Sequence, residues 1–447
     1  MEAFREHRHR RPYAARFAGV SVVAMKADLR QVFYALSDAL DLVGVDDVAH
    51  GKRVAAMAAE CAKALAWPQS AVLDMFDLGL IHDIGVSSTA VHQHLVNEFD
   101  WEGSQEHAEL GYRLLKDFRP MAALALPIRY HHTRWDVMQN KGVDDLTARK
   151  ANLILLVDRV DAMAAPYYAG GKILSHRNAI RDEIRTRAGS YFCPELVEAF
   201  LKISAHEAFW LLLEPRALDA YLDDMRATGQ PYQADRQELR QLAEIFATIV
   251  DAKSSFTVTH SHGVANVAVH LAAHLGVSSE NRDKLEIAGL LHDLGKLRIP
   301  DEILDKPGRL DEEERLVMNT HSFETLQILR NIDGFEEIGA WAANHHEAPG
   351  GTGYPYGLDG ENLPLEARIL RVADIFQAMV QDRPYRKGLD REAVDAFMRK
   401  LQQQGSIDAE IGDVLHQNLD EMMAAARLED SALPLNRKPG HRPGQDW

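Results

Sequence analysis

The chain has 447 residues, of which 46% are apolar and 26% charged, and its formal net charge is −17. This composition predicts two or three globular domains, and the acidic charge argues against binding to the DNA or RNA backbone. No apolar run is long enough for a membrane span, and there are only two cysteines. We therefore expect a cytoplasmic protein with no disulfide framework.

The first half of the chain is predicted to form one domain, over residues 27–214. Apolar residues recur at helical spacing within residues 151–164, and alternating patterns typical of strands are scarce. Side chains that can bind metal occur in the order His50, His82, Asp83, His107, His131, His132 and Asp158. Such a set of imidazoles and carboxylates predicts a metal site in this half.

A connection is predicted at residues 214–236, where Pro215, Gly229 and Pro231 stand among mixed charges. Beyond it, a second domain is predicted over residues 236–432.

The second domain is also predicted to be helical. Apolar residues follow a helical period in residues 260–275 and 365–381, whereas clusters of Gly and Pro predict loops at 296–311 and 347–364. The tail, residues 433–447, is polar and rich in Pro and Gly, so it is predicted to be disordered. The fold class expected from both halves is all-α.

The second half repeats the pattern of metal-binding residue types found in the first. Its members are His260, His292, Asp293, His321, His345, His346 and Asp374. The shared separations are 32 residues for His50–His82 and His260–His292, 24 for His107–His131 and His321–His345, and 31 for Asp158–Gly189 and Asp374–Gly405. Equal spacing of the same residue types indicates that the chain is an internal duplication.

Seven imidazole and carboxylate ligands are too many for one tetrahedral zinc and suit two octahedral metals. Asp293 is the natural bridge between the metals, because its two oxygens can reach one each. A lone histidine is more often a packed core residue than a ligand. Histidines without a partner in the repeat, His92 among them, are therefore not expected to be ligands, and we interpret them as residues of the surface or the tail.

Short motifs in the second half resemble the HD superfamily, and in particular its HD-GYP subgroup of bacterial cyclic-dinucleotide phosphodiesterases. The resemblance rests on the motifs HDLGK at 292–296, HHE at 345–347, GTGYP at 351–355 and DRPYR at 382–386. It implies two tandem HD-type helical-bundle domains, the second of which carries the catalytic centre.

The same resemblance implies a pair of divalent metals in the second half. Iron or manganese is expected, and nickel or cobalt would also accept these ligands. Asp293 and Lys296 are implied as catalytic residues, with Lys296 projecting from the same face of a continuing helix as His292. The implied substrate-binding residues are Lys296, Gly353, Tyr354, Pro355, Arg383 and Arg386.

The second half departs from the family pattern at several positions. Gly350 and Gln377 stand where the family often has aspartate, Ser322 stands where proline is usual, and Phe256 replaces a carboxylate that holds a third metal in some members. These departures bear on the choice of substrate more than on the chemistry.

The first half keeps all seven ligand positions, but Val86 replaces the lysine, Thr133 replaces the glutamate and no GYP segment is present. We expect this half to bind metal. Whether it is a regulatory half, a structural half or a second hydrolase is left open by the sequence.

The function expected from the resemblance is hydrolysis of cyclic di-GMP to the linear dinucleotide, to GMP, or to both, in second-messenger signalling. The alternative substrate is 3',3'-cyclic GMP-AMP. A different class of function is a non-catalytic, metal-bearing receptor for a cyclic dinucleotide. A homodimer is left open.

Overall fold

A computed structural model describes residues 25–44, 49–97, 103–168, 171–228, 232–254, 259–382 and 387–427 of the chain. Helices dominate these residues, and the two short strands form a single antiparallel pair, Ala27–Asp28 with Gln233–Ala234. The prediction of an all-α fold is therefore confirmed. The tail at 433–447, predicted to be disordered, lies outside the described residues.

Twelve α-helices are described in the first half of the chain. They are α1 (Leu29–Asp41), α2 (His50–Ala64), α3 (Gln69–Ile81), α4 (Thr89–Asn97), α5 (Ser104–Leu115), α6 (Ala122–Tyr130), α7 (Trp135–Met138), α8 (Asp145–Tyr168), α9 (Ile173–Thr186), α10 (Pro194–Ile203), α11 (Glu207–Leu211) and α12 (Pro215–Ala227). Short 3-10 helices occupy Leu42–Gly44 and Arg119–Met121.

Ten α-helices are described in the second half. They are α13 (Arg236–Lys253), α14 (His260–His274), α15 (Ser279–Leu291), α16 (Asp301–Leu304), α17 (Glu312–Leu329), α18 (Glu336–Ala343), α19 (Leu365–Val380), α20 (Arg391–Gln403), α21 (Ala409–Gln417) and α22 (Leu419–Ala426). A 3-10 helix occupies Leu294–Arg298, and no helix is formed between 347 and 364.

Local sequence explains where several of these helices begin. Asp235 and Glu238 form a reciprocal capping box at the start of α13, and Asp311 and Glu314 do the same at the start of α17. Each box satisfies two backbone N–H groups that a helix start leaves without partners. Ser278 accepts from the backbone of α15 in a similar way.

The duplication read from the sequence is also present in the packing. In the first half α3 crosses α2 so closely that a Cβ on Gly79 would lie 2.4 Å from the Cα of Ala55. In the second half α15 crosses α14 in the same manner, and a Cβ on Gly289 would lie 2.8 Å from the Cα of Ala265. Glycine is required at both crossings because backbone meets backbone there.

The two halves share one continuous hydrophobic core. Val32 and Leu36 of α1 line a small cleft together with Leu242, Phe246 and Leu329 of the second half. Polar contacts also join the halves, since the Ser88 hydroxyl donates to the Asp301 carboxylate over 2.8 Å.

The predicted connection at 214–236 contains a packed helix rather than an extended linker. Helix α12 buries Leu218, Leu222 and Met225, and the Tyr34 hydroxyl donates to the carbonyl of Leu222 over 3.1 Å. Among the described helices, none is both long enough and apolar enough to cross a membrane.

Replacing Asp41 with Asn should stabilise the fold at alkaline pH. Its carboxylate accepts from Gly51 N–H at the start of α2 over 2.9 Å, and burial raises the pKa of Asp41 to about 7. Because the folded-state pKa lies above the unfolded value, the stability contributed by this group is lost as the pH rises from about 4 through about 7.

In Asp41→Asn the amide oxygen can still accept from Gly51, and no buried charge forms. We expect a gain of roughly 1–3 kcal/mol at pH 8.5 and a smaller difference at pH 5. Urea unfolding of metal-free protein at both pH values measures this. An equal difference at the two pH values would contradict the role of the carboxyl group.

Candidate metal centre

The second half brings all seven of its predicted metal ligands to one place. They come from the ends and middles of five helices. His260 begins α14, His292 and Asp293 directly follow α15, His321 lies within α17, His345 and His346 follow α18 by one residue, and Asp374 lies within α19. Helix ends and turns therefore carry most of the set, and the packing of the bundle brings the ends together.

The two oxygens of Asp293 face two different groups of ligands. Oδ2 lies 3.2 Å from His292 Nε2 and 3.9 Å from His260 Nε2. Oδ1 lies 3.5 Å from His321 Nε2 and 3.9 Å from His345 Nε2. This division is the arrangement expected of a carboxylate that bridges two metals.

Asp374 adds a further carboxylate on the side of His260, since its Oδ1 lies 3.1 Å from His260 Nε2. On the opposite side, the ring of His346 lies 5.1 Å from that of His321. Each side of Asp293 thus has its own cluster of nitrogen and oxygen donors.

Hydrogen bonds fix which nitrogen of each ring faces the centre. His292, His321 and His345 each point Nδ1 at the backbone carbonyl three residues earlier, at 2.6–2.7 Å. A ring whose Nδ1–H donates to a carbonyl leaves Nε2 as the free lone pair, which is the usual preparation of a histidine ligand.

Several inward-facing atoms are buried without a hydrogen-bond partner within the described residues, namely His292 Nε2, His345 Nε2 and Asp293 Oδ1. Burial lowers the pKa of His345 to about 3 and that of His321 to about 4, whereas burial of His292 is outweighed by Asp293, which raises the pKa of that ring. Although burial favours the protonated carboxyl, the neighbouring His292 and Lys296 hold the pKa of Asp293 well below its usual range. Neutral imidazoles and ionised carboxylates are the forms that bind metal, so the residues fit a divalent pair.

Gly295 of the HDLGK motif allows two chain segments of this centre to approach closely. A Cβ on Gly295 would lie 2.1 Å from the backbone oxygen of His321, so only glycine allows the turn after Asp293 to reach α17. Gly85 has the same relation to His107 in the first half, at 2.0 Å. The motif therefore brings the second and third histidine ligands together.

Lys296 lies beside the centre, but not on the helix that the sequence predicted for it. Helix α15 ends at Leu291, so Lys296 does not follow His292 on a continuing helix but lies in the 3-10 helix that comes next. Its Nζ lies 2.6 Å from Asp293 Oδ2. Burial opposes the charge on Lys296, but Asp293 raises its pKa, so the side chain is a cation beside the bridging carboxylate.

The first half assembles its seven predicted ligands in the same way. Asp83 Oδ2 lies 3.4 Å from His82 Nε2 and 3.9 Å from His50 Nε2, and Asp83 Oδ1 lies 3.4 Å from His107 Nε2 and 3.7 Å from His131 Nε2. In the described parts of the chain, the clusters able to hold a metal form two adjacent groups per half. One group joins Asp83, His107, His131 and His132, and its neighbour joins His50, His82 and Asp158.

One sequence prediction about the first half is wrong. His92 was expected on the surface, but it is only 9% exposed and its ring lies 6.3 Å from that of His50. The residue has no histidine counterpart, because Glu302 of the short helix α16 stands at the same distance from the His-Asp pair of the second half. Its burial follows from where α4 packs, which residue spacing does not reveal.

A buried glutamate holds in place the loop of the second half that carries the GTGYP motif at 351–355, called the GYP loop below. Glu347, which directly follows the His345-His346 pair, is fully buried. Its carboxylate accepts from the backbone N–H groups of Tyr356, Gly357 and Leu358 at 2.6, 3.1 and 3.0 Å. One carboxylate thus fixes the chain just beyond Tyr354 and Pro355.

The predicted substrate-binding residues of this loop have different surroundings. The ring of Tyr354 lies 4.8 Å from that of His346, so it forms a wall of the centre. Gly353 packs against its own chain instead, since a Cβ there would lie 2.4 Å from the Cα of Glu347. Arg383 and Arg386 lie outside the described residues.

Replacing Glu347 with Gln should loosen the loop without removing a metal ligand. The amide has one oxygen to offer three N–H groups, so at least one buried donor loses its acceptor, at a cost of about 1–3 kcal/mol. We expect turnover at this centre to fall roughly tenfold to a hundredfold because the wall of the site moves. Melting temperature, turnover and metal content measure the three effects, with the exposed Glu361→Gln as control. Loss of the second-half metals in Glu347→Gln would contradict this role.

Comparison with known proteins supports the two-domain arrangement. Two family models, both described as "HD domain", match the chain over residues 48–165 and 244–411. The 3'3'-cGAMP-specific phosphodiesterase 1 of Vibrio cholerae is 38% identical over 402 residues, which cover 89% of this chain and 93% of that protein. The cyclic di-GMP phosphodiesterase response regulator RpfG of Xanthomonas campestris is 37% identical, over 42% of this chain and 49% of that protein.

A solved structure has the same fold. The cyclic GMP-AMP specific phosphodiesterase V-cGAP3 of V. cholerae matches with a TM-score of 0.60 and 24% identity, over 88% of this chain and 97% of that one.

Proposed function

Since the chain belongs to the HD-domain family of cyclic-dinucleotide phosphodiesterases, we propose that its second half hydrolyses 3',3'-cyclic GMP-AMP. The observation that carries the choice of substrate is the extent of the similarity. The V. cholerae enzyme named for this dinucleotide aligns along nearly the whole tandem arrangement. RpfG, named for cyclic di-GMP, aligns with less than half of this chain.

The composition of the second site is compatible with a substrate other than cyclic di-GMP. Gly350 and Gln377 stand where the HD-GYP pattern often has aspartate. Gln377 is buried beside α14 and donates to the carbonyl of Ala426 over 3.3 Å, so it acts within the fold. Gly350 is exposed at the start of the GYP loop and leaves more room there than an aspartate would.

We infer that two divalent metals bind in the second half, to Asp293 and the six other ligands around it. The donors are nitrogen and oxygen without thiolate, which suits iron or manganese and also nickel or cobalt. Such metals would neutralise charge on the phosphate oxygens and make an attacking water more acidic.

The residues of the chain itself account for the rest of the chemistry. Lys296, with its ammonium 2.6 Å from Asp293 Oδ2, places a positive charge where a phosphate oxygen would approach. Tyr354 and the loop fixed by Glu347 line the site and orient the substrate. In the reaction, one bond forms from the water oxygen to phosphorus, one bond from phosphorus to a ribose oxygen breaks, and that oxygen takes a proton.

Steady-state kinetics with metal-loaded protein test the proposal. We expect kcat/KM for 3',3'-cyclic GMP-AMP to exceed that for cyclic di-GMP by at least about tenfold, a difference of roughly 1.4 kcal/mol in transition-state binding. A higher kcat/KM for cyclic di-GMP would overturn the substrate. Tight binding of either dinucleotide without turnover would instead identify a receptor.

A further inference from the structure

The two candidate metal centres differ at their first histidine. In the first half, His50 Nδ1 lies 2.8 Å from Asp161 Oδ2. In the second half, His260 Nδ1 is buried and has no hydrogen-bond partner within the described residues. The position equivalent to Asp161, three residues after the metal-binding aspartate of each half, is Gln377.

Asp161 is itself held from several sides. Arg53 donates to its two oxygens over 2.7 and 2.9 Å, and the Tyr168 hydroxyl donates to it over 2.8 Å. The guanidinium of Arg53 also lies over the ring of Tyr168, at 4.5 Å. Asp161 is fully buried, so the carboxylate has a single fixed position from which to contact His50.

The second half cannot adopt the same arrangement. Gly263 stands at the position of Arg53, three residues after the first histidine. A Cβ on Gly263 would lie 2.3 Å from the Cδ of Gln377. In the second half Gly263 leaves room for Gln377, whereas in the first half Arg53 donates to Asp161. The two halves therefore differ at both positions of this contact.

Both centres also have a cation beside an acidic ligand. In the first half Arg159 Nη2 lies 2.8 Å from Asp158 Oδ2, and in the second half Lys296 Nζ lies 2.6 Å from Asp293 Oδ2. The cation lies beside Asp158 in the first half and beside Asp293, the carboxylate between the two ligand groups, in the second.

The third histidines also differ, since His107 Nδ1 is buried without a hydrogen-bond partner in the described residues whereas His321 Nδ1 lies 2.7 Å from the Met318 carbonyl. The partner of His50 is a charged carboxylate, which binds a ring N–H more strongly than a neutral carbonyl does, so the contrast between His50 and His260 is the larger.

We propose that Asp161 is a positioning residue that makes the first-half centre the tighter metal site of the two. When a carboxylate accepts a hydrogen bond from the ring nitrogen that does not bind the metal, it fixes the tautomer and orientation of the histidine. It also raises the basicity of the nitrogen that binds the metal. His50 has that partner and His260 lacks it. The inference rests on the proposed binding of metal by the first half, and it predicts that the proposed catalytic half loses its metal first.

Titration of the full-length metal-free chain with Mn²⁺, with free Mn²⁺ followed by electron paramagnetic resonance, tests the proposal. Asp293→Asn disables the second centre and isolates the first, whereas Asp83→Asn isolates the second. We expect the isolated first centre to bind Mn²⁺ at least about tenfold more tightly. Adding Asp161→Asn to it should weaken binding about 10- to 100-fold, the usual effect of removing such a partner.

Two further variants separate positioning from general packing. Gln377→Ala, at the equivalent position of the isolated second centre, should change Mn²⁺ affinity less than about threefold, since Gln377 donates to Ala426. Arg53→Gln in the isolated first centre should weaken binding less than Asp161→Asn, because Tyr168 still holds Asp161. Melting temperatures identify any variant that fails to fold.

The possible failures are distinguishable. An isolated first centre that binds no Mn²⁺ would overturn its assignment as a metal site. Binding that is unaffected by Asp161→Asn, or that is weakened equally by Arg53→Gln, would overturn the role of Asp161. Neither result depends on phosphodiesterase activity or on the identity of the substrate.

Discussion

Asp293→Asn is expected to lower turnover of the cyclic dinucleotide by a factor on the order of 10³ and to remove about two metals per chain. Asp293 supplies an oxygen to each of the two ligand groups, at 3.2 Å from His292 Nε2 and 3.5 Å from His321 Nε2. Its loss therefore affects both metal positions together. Elemental analysis and a linear-dinucleotide assay on the same sample measure the two effects.

The matched control is Asp83→Asn, which makes the same change at the equivalent position of the first half. Asp83 has the same bridging geometry there, so this variant should also lose about two metals. Its turnover should stay within about threefold of the unmodified chain if catalysis belongs to the second half. Near-complete loss of turnover in a folded Asp83→Asn chain would contradict that assignment.

Lys296→Met is expected to lower turnover about 100-fold while the second-half metals stay bound. Removing a preorganised charge that meets the phosphate oxygens costs about this much. Metal binding should not weaken, because the ammonium beside Asp293 repels a cation rather than holding it. Turnover and metal content again measure the two effects on one sample.

Lys284→Met is the control for Lys296→Met. Lys284 lies on α15, where it pairs with Glu337 over 2.9 Å, so the substitution removes a lysine remote from the phosphate. Its turnover should stay within about twofold, because its ion-pair partners, Glu280 and Glu337, do not belong to the metal centre. If Lys296→Met lost its metals along with its activity, Lys296 would be acting through the fold and not on the substrate.

The ligand sets could be predicted from residue spacing because equal separations along the chain place the ligands at equivalent points of two similarly packed helix pairs. The separation of 32 residues between the first and second histidines spans two helices that cross at a glycine, Gly79 in one half and Gly289 in the other. The crossing brings the start of one helix to the end of the next. Such geometry repeats wherever the spacing and the glycine repeat.

Contacts that depend on loops or on pairs of distant side chains were not predictable in this way. The carboxylate of Glu347 binds three backbone N–H groups of a loop whose path no periodic pattern describes. The contact between Asp161 and Arg53 joins two helices that lie far apart in the chain. The end of α15 at Leu291 was missed because the residues that follow continue in a 3-10 helix.

The most direct test of the central claim is to supply 3',3'-cyclic GMP-AMP to the Asp83→Asn chain, loaded anaerobically with iron or manganese, while its metals are counted. We predict about two metals per chain and steady formation of the linear dinucleotide, because the second-half centre is then the one left to act. A chain that holds those two metals and binds the dinucleotide, yet forms no linear product, would contradict catalysis by this centre.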